Sequence, residues 1–111
     1  MDWRVIKLKA YFDSHGGAVD YQLEQICQSL GLGISAAYAA RLFKRDTGMG
    51  IREYAKMKRL QIAAVRLAST NLPIKMIAVE SGYRKMPDFT RAFTKQHHVG
   101  PAQFRRADRE N

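Results

Sequence analysis

Apolar residues recur at intervals of three and four along most of the chain, and no long stretch alternates apolar with polar residues. Such spacing is typical of amphipathic α-helices rather than of β-strands. Glycine, proline and potential capping residues interrupt the pattern repeatedly. The sequence therefore predicts an all-α fold with about seven helices, near residues 3–13, 21–30, 36–47, 51–69, 74–81, 87–97 and 101–107.

Short polar residues and glycine mark several of the predicted helix ends. Asp2, Asp20 and Ser35 each precede a helix and carry a side-chain oxygen that can accept a hydrogen bond from its first free backbone N–H groups. Gly48 follows the third helix, where a left-handed residue commonly ends a helix. We expect the last residues, DREN, to be frayed.

The chain contains an internal repeat, in which LFKRDTGMGIREY (42–54) aligns with AFTKQHHVGPAQF (92–104). Both copies span the end of one predicted helix, a turn and the start of the next, which indicates one structural device used twice. Within the copies, Phe43 aligns with Phe93, Gly50 with Gly100, and Tyr54 with Phe104. Just upstream of the copies, Arg41 aligns with Arg91.

A small residue followed four positions later by glycine precedes each copy, as Cys27 with Gly31 and as Ala78 with Gly82. The small side chain allows two helices to approach, and glycine accepts a positive φ in the turn, as a helix-turn-helix requires. We therefore expect two helix-turn-helix units joined by a long connector helix. Their predicted bounds are 1–50, 51–69 for the connector, and 70–111, all within one compact domain over 3–107.

Charge narrows the classes of partner. Basic residues outnumber acidic residues by 19 to 10, which gives a net charge of +9. Residues 1–55 have a net charge of +1 (seven basic, six acidic) and residues 56–111 one of +8 (twelve basic, four acidic). This balance suits nucleic acid, an anionic membrane or an acidic protein. A membrane surface is disfavoured, because no predicted helix combines an aromatic and apolar face with a basic rim.

The sequence offers no arrangement for catalysis, metal binding or a cofactor. His15, His97 and His98 have no cysteine or acidic partners at metal-ligand spacing, and no nucleophile motif or phosphate-binding glycine loop is present. Cys27, the only cysteine, lies in an apolar phrase and is expected to be a buried thiol. A chain of 111 residues also leaves little core for a small-molecule cavity. Without a signal peptide or membrane-spanning run, the expected setting is the reducing cytoplasm.

Together, these residues resemble the DNA-binding region of the AraC/XylS family of bacterial transcription regulators. The resemblance covers nearly the whole chain and is most specific over IAVESGYRKMPDFTRAFTKQHHVGPAQFR (77–105). The matching residues are Ile77, Ala78, Gly82, Tyr83, Phe89, Phe93, Pro101, Phe104 and Arg105 in the second unit, and Ser35, Tyr38, Arg41, Leu42, Phe43, Gly48, Tyr54, Arg59, Leu60 and Ala63 in the first.

Some positions depart from the family pattern. The first turn, GLGIS (31–35), holds two extra residues, and Cys27 stands where the family has alanine, so we expect the first reading helix at a slightly different angle. Gly50 and Gly100 replace a family serine, which removes a side-chain N-cap from each following helix. His98 stands at a family glycine position, which indicates a positive φ.

The expected DNA contacts follow from the outward positions and from the resemblance. A helix fits the major groove of B-DNA, where outward side chains near its N-terminus reach base edges. Arg41 and Arg91 are equivalent and can each bind guanine bidentately, although a phosphate contact is the alternative for both. The expected base-reading residues are Ala37, Ala40, Arg41, Met86, Thr90 and Arg91. The expected phosphate-binding residues are Ser35, Lys44, Arg45, Arg84, Lys85, Lys95, Arg105 and Arg106.

For two of these residues a second role is open. Thr90 suits a base or a phosphate, and Met86 suits packing or a thymine contact equally. The alanines of the first reading helix offer methyl contacts and few hydrogen bonds, so we expect it to contribute less sequence information than the second.

The connector explains why one chain would carry two reading helices. Its predicted length is about 28 Å, near the roughly 34 Å between successive major-groove segments on one face of DNA. One chain can thus read an asymmetric double-stranded site as a monomer. The alternative is a helical protein-interaction module that docks RNA polymerase or another regulator, with DNA binding secondary. Polymerase contact as an additional role is implied by the resemblance, and the sequence does not locate it.

Overall fold

The computed structural model of the chain describes residues 1–17 and 21–110 and, over those ranges, contains α-helices and no β-strand. The predicted all-α class is confirmed. No helix in the described ranges has both the length and the apolar character needed to cross a bilayer. The seven helices found there are α1 (Trp3–Ser14), α2 (Leu23–Ser29), α3 (Ala36–Thr47), α4 (Ile51–Ser69), α5 (Ile74–Glu80), α6 (Met86–His97) and α7 (Pro101–Glu110).

Two of the predicted N-caps are observed. The Asp2 carboxylate accepts a hydrogen bond from the backbone N–H of Arg4, and the Ser35 hydroxyl accepts one from the backbone N–H of Tyr38. Each contact satisfies a backbone donor that the first turn of a helix leaves free. Asp20, the predicted cap of α2, lies outside the described residues. Helix α2 begins later than predicted, and its N-cap side chain makes no capping hydrogen bond.

The chain divides into two compact units, and the division falls within α4. We call Met1–Lys58 the N-terminal unit and Arg59–Asn111 the C-terminal unit. The connector role expected for residues 51–69 stays a prediction, although these residues do form one helix.

Each unit has its own hydrophobic core. Helices α1 and α2 both pack against α3, while α5 and α7 both pack against α6. A fully buried phenylalanine stabilises the fold by about 1.5–3 kcal/mol, and each reading helix supplies at least one. The N-terminal core contains Val5, Leu8, Phe12, Ile26, Cys27, Leu32, Ala39, Leu42, Phe43, Ile51, Tyr54 and Ala55. The C-terminal core contains Leu60, Ala63, Ala64, Leu67, Ile77, Ala78, Phe89 and Phe93.

The turns before α3 and α6 share one hydrogen-bond pattern. The backbone N–H of Leu32 donates to the carbonyl of Cys27 at 3.1 Å, and that of Tyr83 donates to the carbonyl of Ala78 at 3.0 Å. Both acceptor residues are buried and small, as the sequence predicted, and burial raises the pKa of the Cys27 thiol. The small side chains let the paired helices approach each other in each unit.

The first of these turns is longer. It spans residues 30–35, whereas the second spans 81–85. The first contains two left-handed glycines, Gly31 and Gly33 (φ +64° and +67°), and the second contains Gly82 (φ +93°). Glycine adopts this conformation at little cost, so Gly33 accommodates the additional residue of the first turn.

A left-handed residue ends both α3 and α6. The backbone N–H of Gly48 (φ +76°) donates to the carbonyl of Lys44, and that of His98 (φ +69°) donates to the carbonyl of Thr94. His98 thus has the positive φ expected from its position, and it is the one non-glycine residue with this property in the described ranges. Helices α3 and α6 are both 12 residues long.

Helix α7 extends beyond its predicted end, to Glu110. The Nε of Arg105 donates to the backbone carbonyl of Leu67 at 3.0 Å, and the Nη2 of Arg109 donates to that of Thr70 at 2.6 Å. These carbonyls lie at the end of α4, where a helix leaves acceptors without intrahelical partners. Residues 108–110 are therefore helical, beyond the predicted end of the helix at 107, and the expected fraying of the tail stays a prediction.

Candidate nucleic-acid interface

Helix α3 presents an outer face opposite its buried side. Ala37, Arg41 and Lys44 are exposed on this face, and Ala40 is half-buried. A shallow groove of about 490 Å³ runs along it. The groove is lined by Ala40, Arg41, Lys44, Arg45, Gly50 and Ile51. The small side chains permit close approach of a partner, and the cations make that approach favourable for an anion.

Arg41 lies beside an aromatic ring rather than an acid. Its guanidinium carbon is 5.6 Å from the centroid of the Tyr38 ring, within the range of a cation–π contact. Arg4 of α1 approaches the same ring at 5.7 Å. Within the described ranges, Arg41 takes part in no salt bridge. Its N–H donors are therefore not engaged by a carboxylate.

A series of hydrogen bonds joins the start of α1 to the end of α3. The Asp2 carboxylate accepts from Nε and Nη2 of Arg4 at 3.0 and 2.8 Å, and the backbone N–H of Asp2 donates to Asp46 at 2.9 Å. The second Asp46 oxygen accepts from Nε of Arg45 at 2.9 Å. Arg4 holds the pKa of Asp2 well below its usual range, and Arg45 lowers the pKa of Asp46. One donor of Arg45 is thus engaged within the unit.

Helix α6 presents the corresponding face in the C-terminal unit. Thr90 and Arg91 are exposed there, whereas Met86 is half-buried and packs against the C-terminal core. A groove of about 730 Å³ runs along this face. It is lined by Met86, Pro87, Thr90, Arg91, Thr94 and Lys95. Of the two roles open for Met86, packing is therefore observed, and its side chain also borders the groove.

Arg91 has an acidic neighbour. Its Nη1 lies 3.5 Å from Oδ1 of Asp88, three residues earlier on α6. The two side chains are 77% and 51% exposed, so solvent weakens this ion pair. Asp88 stands in the first turn of α6, where the helix dipole also favours a negative charge. Position 88 corresponds to Tyr38 on α3, so the two arginines have different neighbours at the same helical spacing.

Most of the cations expected at phosphates are exposed at helix ends and turns. These are Lys44, Arg45, Arg84, Lys85, Lys95 and Arg106. Ser35 is exposed at the start of α3, with its hydroxyl used as the N-cap. Arg105 differs, because it is half-buried, donates to Leu67 and has a buried Nη2 with no hydrogen-bond partner among residues 1–17 and 21–110. This geometry favours a role for Arg105 in holding α7 in place over phosphate binding.

Sequence reasoning did not assign roles in the interface to Arg4, Tyr38 or Asp88. Tyr38 stands three residues before Arg41 and Asp88 three residues before Arg91, a spacing that brings side chains together on a helix. That signal was available in the sequence. The approach of Arg4 to Tyr38 was not, because it depends on the packing of α1 against α3.

Comparison with known proteins identifies the family to which these units belong. A family described as a helix-turn-helix domain matches residues 23–107. The chain is 33% identical over 98 residues to the regulatory protein SoxS of Escherichia coli, and the alignment covers 88% of this chain and 89% of SoxS.

Solved structures show the same fold. The C-terminal domain of AraT, a response regulator from Geobacillus stearothermophilus, has a TM-score of 0.80 and 32% identity, covering 96% of this chain and 86% of that chain. The DNA-binding domain of AdpA, a global transcriptional factor solved in complex with a target DNA, has a TM-score of 0.79 at 20% identity, covering 96% and 94%. The chain therefore belongs to the AraC/XylS family of transcription regulators, a family of DNA-binding proteins rather than enzymes.

Proposed function

We propose that this regulator binds an asymmetric site in double-stranded DNA by inserting α3 and α6 into successive major-groove segments. The observation that carries the proposal is the exposure of Arg41 and Arg91 at equivalent positions on two equivalent helices, each beside a groove. Outward side chains on such helices are those that reach base edges in helix-turn-helix proteins. Because the two outer faces differ in sequence, a single chain reads two different segments and needs no symmetric partner.

Base reading is assigned mainly to the two arginines. A bidentate contact from Arg41 or Arg91 to guanine discriminates against the wrong base by about 1–3 kcal/mol. Ala37 and Ala40 offer methyl groups to thymine but no side-chain hydrogen bonds. The first recognition helix is therefore expected to specify fewer base pairs than the second, in which Thr90 adds a hydroxyl.

Phosphate contacts supply affinity without sequence information. We assign them to Ser35, Lys44, Arg45, Arg84, Lys85, Lys95 and Arg106. We leave Arg105 out of this set because its guanidinium holds α7 to Leu67. With about six such contacts, affinity should fall about a thousandfold between 50 and 200 mM salt.

The resemblance to bacterial regulators extends the proposal to cellular context. A cytoplasmic protein on nucleoid DNA that also contacts RNA polymerase fits the family, although no surface of the described residues is assigned to the polymerase. An interaction module with secondary DNA binding is not favoured, because the matching relatives are transcription regulators with DNA-binding domains.

Selection of binding sites from random DNA, followed by affinity measurements, tests the proposal. Arg41→Ala and Arg91→Ala should each relax base preference at a different segment, about one helical turn apart. Lys75→Ala on α5 is the matched control, since it removes one exposed positive charge outside the proposed contact set. It should leave the preferred sequence unchanged. Failure to enrich any sequence, or binding that is independent of salt, would refute the proposal.

A further inference from the structure

The neighbours of the two reading arginines engage different parts of the guanidinium group. A cation–π contact is an electrostatic attraction to the ring face and provides no oxygen acceptor for the N–H donors of the arginine. In the Arg91–Asp88 ion pair, the carboxylate oxygen lies 3.5 Å from Nη1, one of those donors. Guanine recognition requires two donors from the same edge. Tyr38 therefore leaves Arg41 free to donate, whereas Asp88 competes for a donor of Arg91.

The Tyr38 ring is also contacted by Arg4, a residue of α1. Arg4 lies 5.7 Å from the ring centroid, and its side chain is only 23% exposed. Two hydrogen bonds from the Asp2 carboxylate fix the Arg4 guanidinium, and the Asp2 backbone is bonded to Asp46. The aromatic ring near Arg41 is thus also contacted by Arg4 of α1, while 39% of Tyr38 remains exposed.

We propose that Tyr38 is a positioning residue that presents the guanidinium of Arg41 to base edges, and that Arg4 holds Tyr38 in place. The inference rests on the proposed function, since it assumes that Arg41 reads a base. Tyr38 acts through Arg41 and needs no contact with DNA. Its effect is confined to the segment of the site that α3 reads, because the neighbour of Arg91 in the C-terminal unit is Asp88 and not an aromatic ring.

The experiment measures base discrimination position by position in the selected site for Arg41→Ala, Tyr38→Leu and Tyr38→Phe. Arg41→Ala identifies the base pair that Arg41 reads, with an expected loss of about five- to 150-fold in discrimination. Tyr38→Leu keeps a side chain of similar size without an aromatic face. It should lower discrimination at that same base pair by about twofold to fivefold and leave the α6 segment unchanged. Tyr38→Phe keeps the aromatic face and removes only the hydroxyl contact with Arg4, so it should retain most of the discrimination that Tyr38→Leu loses.

Several outcomes would overturn the inference. If Arg41→Ala changes no position, the proposed function of α3 fails and this inference fails with it. If Arg41→Ala acts at one base pair and folded Tyr38→Leu does not, only the inference fails. Equal losses in Tyr38→Phe and Tyr38→Leu would assign the effect to the hydroxyl and exclude the aromatic face.

A second variant keeps the test decisive if Tyr38→Leu does not fold. Arg4→Met removes the support of the ring from a residue outside the recognition helix. It should lower discrimination at the Arg41 base pair by about twofold, with circular dichroism confirming the helical content. Unchanged discrimination at that base pair would refute the supporting role of Arg4.

Discussion

Helices α3 and α6 have the same length, follow turns with the same hydrogen bonds and end in a left-handed residue. Phe43 of α3 and Phe93 of α6 occupy equivalent buried positions on the inner faces of these helices. Their outer faces share an exposed arginine, Arg41 and Arg91, whereas Tyr38 on α3 is replaced by Asp88 on α6. The comparison shows that the buried positions stay apolar in both units while exposed positions beside the arginine differ, so the outer face can change while the fold is kept.

The charge of the two units also differs, though less than the halves of the sequence suggested. The N-terminal unit has nine basic and six acidic residues, a net charge of +3, and the C-terminal unit has ten and four, a net charge of +6. The structural boundary assigns Lys56 and Lys58 to the N-terminal unit. The C-terminal unit is still expected to bind the phosphate backbone more strongly.

The largest effects should come from the shared core. Phe43→Ala and Phe93→Ala each remove a fully buried ring and should lower the free energy of unfolding by about 3–5 kcal/mol. Chemical denaturation followed by circular dichroism measures both. Similar losses are expected because the two side chains are equally buried. A loss below about 1 kcal/mol in either variant would contradict the equivalence of the two cores.

The next largest effects should be on the salt dependence of DNA affinity, which can be measured separately for each unit. Lys44→Ala with Arg45→Ala, and Arg84→Ala with Lys85→Ala, each remove two proposed phosphate contacts. Each double variant should reduce the slope of log affinity against log salt by about 1.8, or about tenfold in affinity over 50–200 mM. A smaller reduction for the first pair is consistent with the Arg45–Asp46 ion pair. An unchanged slope for both pairs would contradict the phosphate assignment.

A hydrogen bond distinguishes Tyr54 from its counterpart Phe104. The Tyr54 hydroxyl donates to Oδ1 of Asp13 at 2.6 Å, so Tyr54→Phe should cost about 1 kcal/mol of stability. Burial and the Asp13 carboxylate raise the pKa of Tyr54 to about 12. Because the folded pKa is raised, this contribution is complete below the model-compound value of 10.0 and is lost as pH rises towards 12.

The same hydrogen bond lowers the pKa of Asp13, whereas it raises that of Tyr54. Burial opposes ionisation of Asp13, but hydrogen bonds from Tyr54 and Lys58 outweigh it and lower its pKa below 3.8. Its contribution is therefore present above pH 3.8 and is lost as pH falls below that value. Denaturation at several pH values checks both limits, with Tyr54→Phe as the reference. If the parent protein stays more stable than Tyr54→Phe well below pH 3.8 or near pH 12, the Tyr54–Asp13 contact is not coupled to ionisation in this way.

The smallest expected effect concerns the helix starts that follow the reading helices. Gly50 and Gly100 accept the first backbone hydrogen bonds of α4 and α7, and an added Cβ would meet no atom closer than 3.9 Å. Gly50→Ser and Gly100→Ser restore a capping oxygen, with Glu53 and Gln103 at the third helical position. Each should raise the free energy of unfolding by a few tenths of a kcal/mol, measured as a shift in Tm. A lower Tm would indicate an unfavourable turn geometry.

The sequence predicted the helices well because their ends carry local signals. Ser35 and Gly48 bound α3 where expected, whereas the left-handed conformation of His98 was implied by the family resemblance, which places a glycine there. The end of α7 was missed, because it depends on hydrogen bonds from Arg105 and Arg109 to carbonyls almost forty residues earlier. The periodicity of apolar residues within a helix does not indicate contacts with residues that are distant in the sequence.

The candidate interface was predictable only in its outline. Outward spacing was enough to select Arg41, Thr90 and Arg91, all of which are exposed. It could not distinguish Arg105, which points to Leu67, from its neighbour Arg106, which is exposed. Adjacent residues on a helix differ by about 100° in direction, and the packing of α7 decides which of them reaches solvent.

The division of α4 between the two units bears on the order of folding during synthesis. The N-terminal unit contains its whole core by Lys58, so it can fold on the ribosome while the following residues are still being made. In the C-terminal unit, the arginines that satisfy the carbonyls of Leu67 and Thr70 lie on α7, the last of the described helices to be synthesised. Helix α3 is therefore synthesised together with its complete core before the C-terminal unit acquires the hydrogen bonds from α7.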